Sequence, residues 1–296
     1  MIRIVQRSIP AIVLSLAAAA VPSAAPDRAQ DVLARARTAM FGQASQAAIT
    51  SLVITASVKR VVQSIGAEMT SAVELEFLLP DTYRRTENIS VSGMTRRIST
   101  GLRSEAFFYD DGGAAAAAGM DPTAPGRRRD DAIKELRADR FRWLTLFLLA
   151  PPAVPGLTVT SAGAVEVPEG HMDVVDVKGD AGLNLRLFFD ATNHRLMLAT
   201  FQVESIDPRQ ATLPQQKVIQ QAQSGQVDPK NVAQVLQEEM AKLPKAMLSV
   251  RMRFSEPKTM GGLTVPTKIS TDGAPQGPEE WTVSGVKINV PVTFDK

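Results

Sequence analysis

The chain has 296 residues, 44% hydrophobic and 5% aromatic, with 33 basic and 31 acidic residues and no cysteine. That length and apolar share suffice for a buried core, while the missing cysteine excludes disulfides, thiolate metal sites and a lipidated N-terminal Cys. The near-neutral charge gives no field to steer the chain to nucleic acid or an anionic membrane, and so few aromatics make poor platforms for stacking bases.

Arg3 and Arg7 precede an apolar run over 9–21, and Pro22, Ser23, Ala24 and Ala25 follow it. A basic start, a short apolar core and a small-residue end predict an export signal over 1–25, cleaved after Ser23 or Ala25. The run is broken by Pro10 and is short for a bilayer, which takes ~20 apolar residues; a retained anchor is the competing reading. Removing the signal leaves 31 basic against 31 acidic residues, so the mature chain is formally neutral. No second long apolar segment follows, and residues 26–296 are expected to form a single soluble domain.

Residues 27–42 predict the first helix, with Val32, Leu33, Ala36, Ala39 and Met40 on one face and Gly42 at its end. Residues 49–62 switch to period two, with Leu52, Ile54, Ala56 and Val58 alternating against polar neighbours. Val73, Leu75, Phe77 and Leu79 form the next strand, Pro80 and Asp81 a turn, and 83–91 and 95–109 continue the meander with outer positions rich in Arg and Thr. Residues 110–131, with Gly112, Gly113, five alanines, Pro122, Pro125 and Arg127 to Arg129, predict a mobile loop. Its arginine triplet suits solvent, or a lipid headgroup. Asp130 is expected to cap a helix running to about Leu149, whose nearly all-apolar second half is either buried or flanks an internal cavity.

Strands resume at Leu157 and include 174–178, 183–189 and 196–203, the last two joined by a turn over 190–194. Residues 207–244 read as a helical insert: a Gln-rich helix, a break at Gly225, then a second helix capped by Asp228 with Pro229 at its first position. Val232, Val235, Leu236, Met240 and Leu243 give this second helix an apolar stripe. A closing meander over 248–294 has three strands, a turn at 256–262, and a final run ending in Val286, Ile288, Val290 and Val292. It is expected at the closing edge of the larger curved sheet. Trp281 and Val283 are out of phase with Val286 to Val292, which predicts one extra residue, a β-bulge, at Gly285.

No catalytic constellation is visible. His171 and His194 fall at a strand start and a hairpin turn, far from the nucleophile context that acyl-transfer chemistry requires. Two S-x-x-K matches, at 255–258 and 284–287, lie in predicted strands without an S-D-N partner. The acidic pairs Asp110–Asp111, Asp130–Asp131 and Glu279–Glu280 are sequence neighbours, and neighbours on a strand point to opposite faces. There is no P-loop and no G-x-G-x-x-G. One-sided strands with few helices leave two readings of the interior: a packed core, or an apolar groove that holds a ligand.

Three stretches carry a family likeness: Pro80-Asp81-Thr82-Tyr83-Arg84, the run 182–190 (Gly-Leu-Asn-Leu-Arg-Leu-Phe-Phe-Asp), and Gly262-Leu263-Thr264-Val265-Pro266, with Glu280-Trp281-Thr282-Val283 at the end. In the order helix, meander, helix, meander, these resemble the LolA/LolB-like lipoprotein-carrier superfamily, particularly its outer-membrane lipoprotein-sorting-like exported members. The likeness spans about 27–205 and 247–294. It implies a sheet-dominated α+β fold, a curved antiparallel sheet or unclosed barrel covered by a few helices. It implies a periplasmic, non-enzymatic carrier without cofactor, metal or catalytic residues, holding a lipid or lipoprotein acyl chain. The residues expected to line such a site are Leu75, Phe77, Leu144, Leu148, Leu185, Leu187, Phe189, Val250 and Met252. The alternative is an envelope interaction or sensing module that holds a protein partner through 228–243. The 207–244 insert and the Ala-rich loop depart from the family pattern, and no ligand-gating arginine of the carriers can be matched.

Overall fold

The computed structural model describes residues 26–42, 49–62, 67–91, 94–104, 106–112, 127–149, 156–179, 182–206, 208–228, 231–275 and 277–294. The expected signal and most of the expected mobile loop lie outside them. Helix α1 is Pro26–Phe41, followed by strands β1 (Ser51–Val62), β2 (Ala67–Leu78), β3 (Thr82–Val91), β4 (Met94–Arg103) and β5 (Ala106–Asp110). Helix α2 (Arg127–Leu148) leads to β6 (Thr158–Val167), β7 (Gly170–Lys178), β8 (Asn184–Asp190) and β9 (Leu196–Ile206). Helices α3 (Pro208–Gln223) and α4 (Val232–Ala241) precede β10 (Lys245–Met260), β11 (Leu263–Asp272) and β12 (Glu279–Ile288).

All twelve strands join one antiparallel sheet in the order β5-β4-β3-β2-β1-β12-β11-β10-β9-β8-β7-β6, which does not close into a barrel. The closing meander is therefore not an edge. It occupies the middle, with β12 paired to β1, and the edges are β5 and β6. The sheet is curved: α1 reaches both β6 and β11, which in a flat sheet would stand five strand spacings, ~24 Å, apart. One apolar cluster draws inward-facing residues from both halves of the sheet together with α1 and the second half of α2. Hydrophobic burial against these helices, rather than a second sheet, closes the domain.

The alternation in β1 holds: Leu52, Ile54, Ala56 and Val58 are buried in that cluster. The bulge also forms. Thr55 pairs with Gly285 but Ala56 with Val283, so Ser284 is the extra residue. It lets Val286 and, beyond it, Val283 and Trp281 all face inward, where an unbroken period of two would turn one set outward.

Other boundaries move. The run 95–109 is two strands, broken where Ser104 takes φ 51°. Residues 256–262 are not one turn: β10 continues to Met260 with a left-handed kink at Glu256, and the reversal is made by Gly261 and Gly262. The last strand stops at Ile288, because Asn289 at φ 53° turns the chain; Val290 and Val292 belong to an extended tail. Helix α2 starts inside the arginine triplet, a good helix former, so Asp130 lies in the first turn and is no cap. At the loop's other end Asp111 is buried and paired with Arg96 at 2.6 Å. Helix α4 is preceded by Asn231 rather than capped by Asp228; Pro229 lies outside the described residues.

Candidate functional site

All nine residues expected to line a ligand site fall in the single inner cluster: Leu75 and Phe77 on β2, Leu144 and Leu148 on α2, Leu185, Leu187 and Phe189 on β8, and Val250 and Met252 on β10. Each is at most 3% exposed. The register explains the convergence. Leu185 pairs with Phe201, which pairs with Val250, and Leu187 pairs with Ala199, which pairs with Met252, so these share one phase across β8, β9 and β10, while a one-residue shift sets Phe189 opposite Leu196. In this conformation these nine side chains are covered by other side chains of the cluster among the described residues.

Helix α2 is fixed to the sheet by a few polar and aromatic contacts. The Tyr83 hydroxyl donates to Asp139 Oδ2 at 2.6 Å, and Arg140 Nη1 donates to the Asp81 carbonyl at 2.6 Å. Trp143 lies against Trp281 with ring centroids 4.8 Å apart, and Arg142 sits over the Phe201 ring. Burial, reinforced by the Asp139 charge, pushes the Tyr83 hydroxyl well above its ordinary value, so it stays a donor throughout the physiological range. At the far end of the helix, Arg37 of α1 donates twice to the Leu149 carbonyl, at 3.2 and 2.9 Å. The two covering helices are thereby tied to each other.

The inner face also carries charges. On β3 the outward residues are Arg84 and Thr86; Tyr83, Arg85 and Glu87 share the inner phase with Leu75 and Val73 of β2. Arg60 ion-pairs with Glu87 at 2.8 Å and with Glu279 at 3.2 Å, and Arg85 with Glu87 at 3.4 Å. Ser71 Oγ donates to Glu87 at 2.7 Å and Trp281 Nε1 to Glu279 at 2.9 Å. Burial alone would lower the Arg85 guanidinium, but Asp139, Tyr83, Glu87 and Glu279 together raise it, so the group is firmly cationic. A signal was available for these residues. Arg60 continues the Leu52–Val58 alternation, and Glu279 continues that of Trp281 and Val283.

Elsewhere the chemistry is thin. His171 and Glu166 approach to 3.9 Å on an exposed turn, and His194 is a left-handed hairpin residue at φ 59°. Among the described residues no group of three or more His, Cys, Asp or Glu is placed to hold a metal, and no helix is long and apolar enough to cross a membrane. A small recess of about 300 Å³ at the β4–β5 edge is lined by Arg96, Arg97, Asp110 and Asp111, and the Arg96–Asp111 pair and the Tyr109 hydroxyl already satisfy one another. In the insert, α3 and α4 pack together, which half-buries the predicted apolar stripe of α4 and leaves Leu213 and Ile219 of α3 exposed.

Fold and site together define an open, curved antiparallel sheet whose apolar inner face is covered by helices. Several solved structures are similar to it. A LolA superfamily protein from Nitrosomonas europaea matches at a TM-score of 0.45 and 11% identity, over 89% of this chain and 94% of that one. A domain assigned to outer membrane lipoprotein sorting in Vibrio parahaemolyticus matches at 0.42 and 6%, over 91% and 95%. A DUF1329 family protein from Desulfovibrio piger matches at 0.41 and 8%, over 90% and 94%. A protein named for the superfamily that the sequence resembles is among those this chain is similar to. No family model matches the chain, and no curated protein does.

Proposed function

We propose that the protein is an exported, periplasmic, non-enzymatic carrier that holds a lipid or lipoprotein acyl chain against the inner face of its sheet. The observation that carries this reading is the construction of that face. One continuous apolar surface spans both halves of a sheet that remains open, and its cover is two helices, α2 being seated by its own apolar second half and by the contacts of Tyr83, Arg140 and Trp143. The nine lining residues are covered in this conformation, so a chain enters only as α1 or α2 lifts, exchanging helix side chains for acyl methylenes of equal polarity. Such an exchange changes buried apolar area little and is therefore feasible within the stability of a domain. Native mass spectrometry of protein purified from the periplasm is expected to show a lipid adduct. A ligand-free protein that also ignores fluorescent fatty acids refutes the reading.

A second reading rests on Leu213 and Ile219, large apolar residues exposed on α3. In it the insert 207–244, including 228–243, docks an envelope protein. Deleting 207–244 would then remove a specific crosslink in the cell envelope, and an unchanged crosslinking pattern refutes it.

A further inference from the structure

The inner face is apolar along most of its extent and changes character at one end. There Thr271, Glu279 and Arg60 form one row across β11, β12 and β1, a step beyond the row of Ile269, Trp281 and Val58. The charges at this end balance. Arg60 and Arg85 face Glu87 and Glu279, and on α2 Arg142 faces Asp139. With no net charge, the region has no field that selects an ion.

Its hydrogen bonds do not balance. Trp143 Nε1 and Thr271 Oγ1 are buried without a partner, on residues only 4% and 5% exposed. Both belong to this end, since Trp143 lies on Trp281 and Thr271 is the cross-strand neighbour of Glu279. Glu279 accepts from the Trp281 indole through Oε2, and its Oε1 is ion-paired with Arg60 without hydrogen-bond geometry. An indole N–H can only donate, and a buried donor without an acceptor is costly enough that interiors seldom keep one. Arg60 Nε and Nη2, Arg142 Nε and Glu279 Oε1 also lack hydrogen-bond geometry here, so donors outnumber acceptors at this end, and beside a neutral charge cluster that surplus fits an uncharged acceptor.

We infer that this end of the inner face receives the carbonyl of an acyl ester or amide, with Trp143 Nε1 and Thr271 Oγ1 donating to its oxygen and the hydrocarbon running down the apolar remainder. The inference rests on the carrier reading and adds the chemistry of the ligand's head and its orientation. A free carboxylate would bring an unpaired negative charge beside Glu87 and Glu279. An alkane would leave both donors unsatisfied.

The test uses the chain's own reporters. Its two tryptophans, Trp143 and Trp281, both sit at this end, so their emission reads occupancy directly. Methyl palmitate, palmitate and hexadecane are titrated into the purified protein from cyclodextrin. Methyl palmitate is expected to bind about tenfold more tightly than either of the others, the effect of one or two hydrogen bonds. Thr271→Val, which keeps the shape and removes the hydroxyl, should weaken the ester about fivefold and leave hexadecane unchanged. The same variant should raise the Tm of the ligand-free protein, because an orphan hydroxyl has gone. Opposite signs on binding and stability are not expected of a hydroxyl with a structural role alone. Trp143→Phe should repeat the loss for the ester, with Trp281 as reporter. Equal binding of all three compounds, tightest binding of palmitate, or unchanged ester affinity in both variants overturns the inference and leaves the carrier reading standing. Binding of none overturns both.

Discussion

Replacing Glu279 by Gln tests whether the charges on the inner face are held out of water. The Glu279 side chain is 5% exposed and that of Arg60 14%. Removing one member of a buried ion pair costs ~3–5 kcal/mol, most of it from the charge left behind. Here Arg60 retains Glu87 at 2.8 Å, and the amide oxygen of Gln can still accept from Trp281 Nε1. About half the full cost should remain, ~2 kcal/mol. Arg60→Met removes the cation between two carboxylates and leaves Arg85 alone to neutralise them, so it should cost more, ~3 kcal/mol. Because each variant destroys the same contact, Arg60→Met/Glu279→Gln should fall short of additivity by ~1–2 kcal/mol. Urea unfolding followed by tryptophan emission gives all four stabilities, with unchanged m-values confirming that the comparison is sound. In thermal melts the Glu279→Gln loss corresponds to about 4–8 °C for a chain of this size. Single variants within about 0.5 kcal/mol of the parent, or strict additivity, would refute the reasoning, since that is how solvated surface pairs behave.

Tyr83→Phe keeps the ring stacked on Phe77 at 4.9 Å but removes the donor to Asp139, and should cost ~1.5–3 kcal/mol in urea unfolding. A loss under about 0.5 kcal/mol would show that α2 is not held there. Partial desolvation raises the carboxyl of Glu135, a residue on the exposed side of its helix, above its ordinary value, with Lys245 opposing and Asp131 and Asp139 adding to the effect. The folded chain then holds that proton more tightly than the unfolded chain, so the group's contribution to stability is present at low pH and lost as pH rises through the folded value. Glu135→Gln should accordingly raise the Tm at pH 7 and leave it nearly unchanged at pH 4; equal shifts at both would count against it. Gly273 has φ +76°, and a Cβ there would collide with the Ser249 carbonyl oxygen, whereas Gly42 at φ +59° has open space around it. Gly273→Ala should therefore cost ~3 kcal/mol and Gly42→Ala ~1 kcal/mol in the same assay.

The faces of the elements were legible because they are local. Leu52 to Val58 and Leu183 to Phe189 state a period of two outright, and Val32, Leu33 and Ala36 state a helical one. The bulge was legible for the same reason, as a slip of phase between Val283 and Val286. The strand order was not, because nothing local records that β12 pairs with a strand more than 200 residues earlier. Polar bonds just beyond the ladder reinforce that pairing and are equally non-local: Thr50 N to Asn289 Oδ1 at 2.8 Å and Ser51 Oγ to the Val290 carbonyl at 2.7 Å. Arg60, Arg85, Glu87 and Glu279 were lost differently. Their phase places them inward, against the general rule that Arg and Glu face water. Phase is the better guide where a charged residue extends a long apolar alternation and oppositely charged residues extend its neighbours.

That cluster sits where the sheet is most in need of specification. Strands β1 to β5 precede α2 and strands β6 to β12 follow it, and the two runs join only through β1 and β12. Apolar pairs across this seam, such as Ile54 with Val286 and Val58 with Trp281, favour burial without strongly favouring one alignment. A one-residue slip would turn every β12 side chain over, so register here has to be fixed by something that does not tolerate exchange. Arg60 from β1, Glu87 from β3 and Glu279 from β12 meet that need, because a slip would send Glu279 to solvent and leave Arg60 short of a counter-charge in the interior. The bulge at Ser284 and Gly285 then sets how sharply β12 bends between the charged end and the apolar remainder of the face. The polar end of the inner face is thus the part of the sheet least able to shift. A site that must present two donors to one oxygen needs that rigidity, whereas the apolar remainder, lined by interchangeable methyl groups, does not.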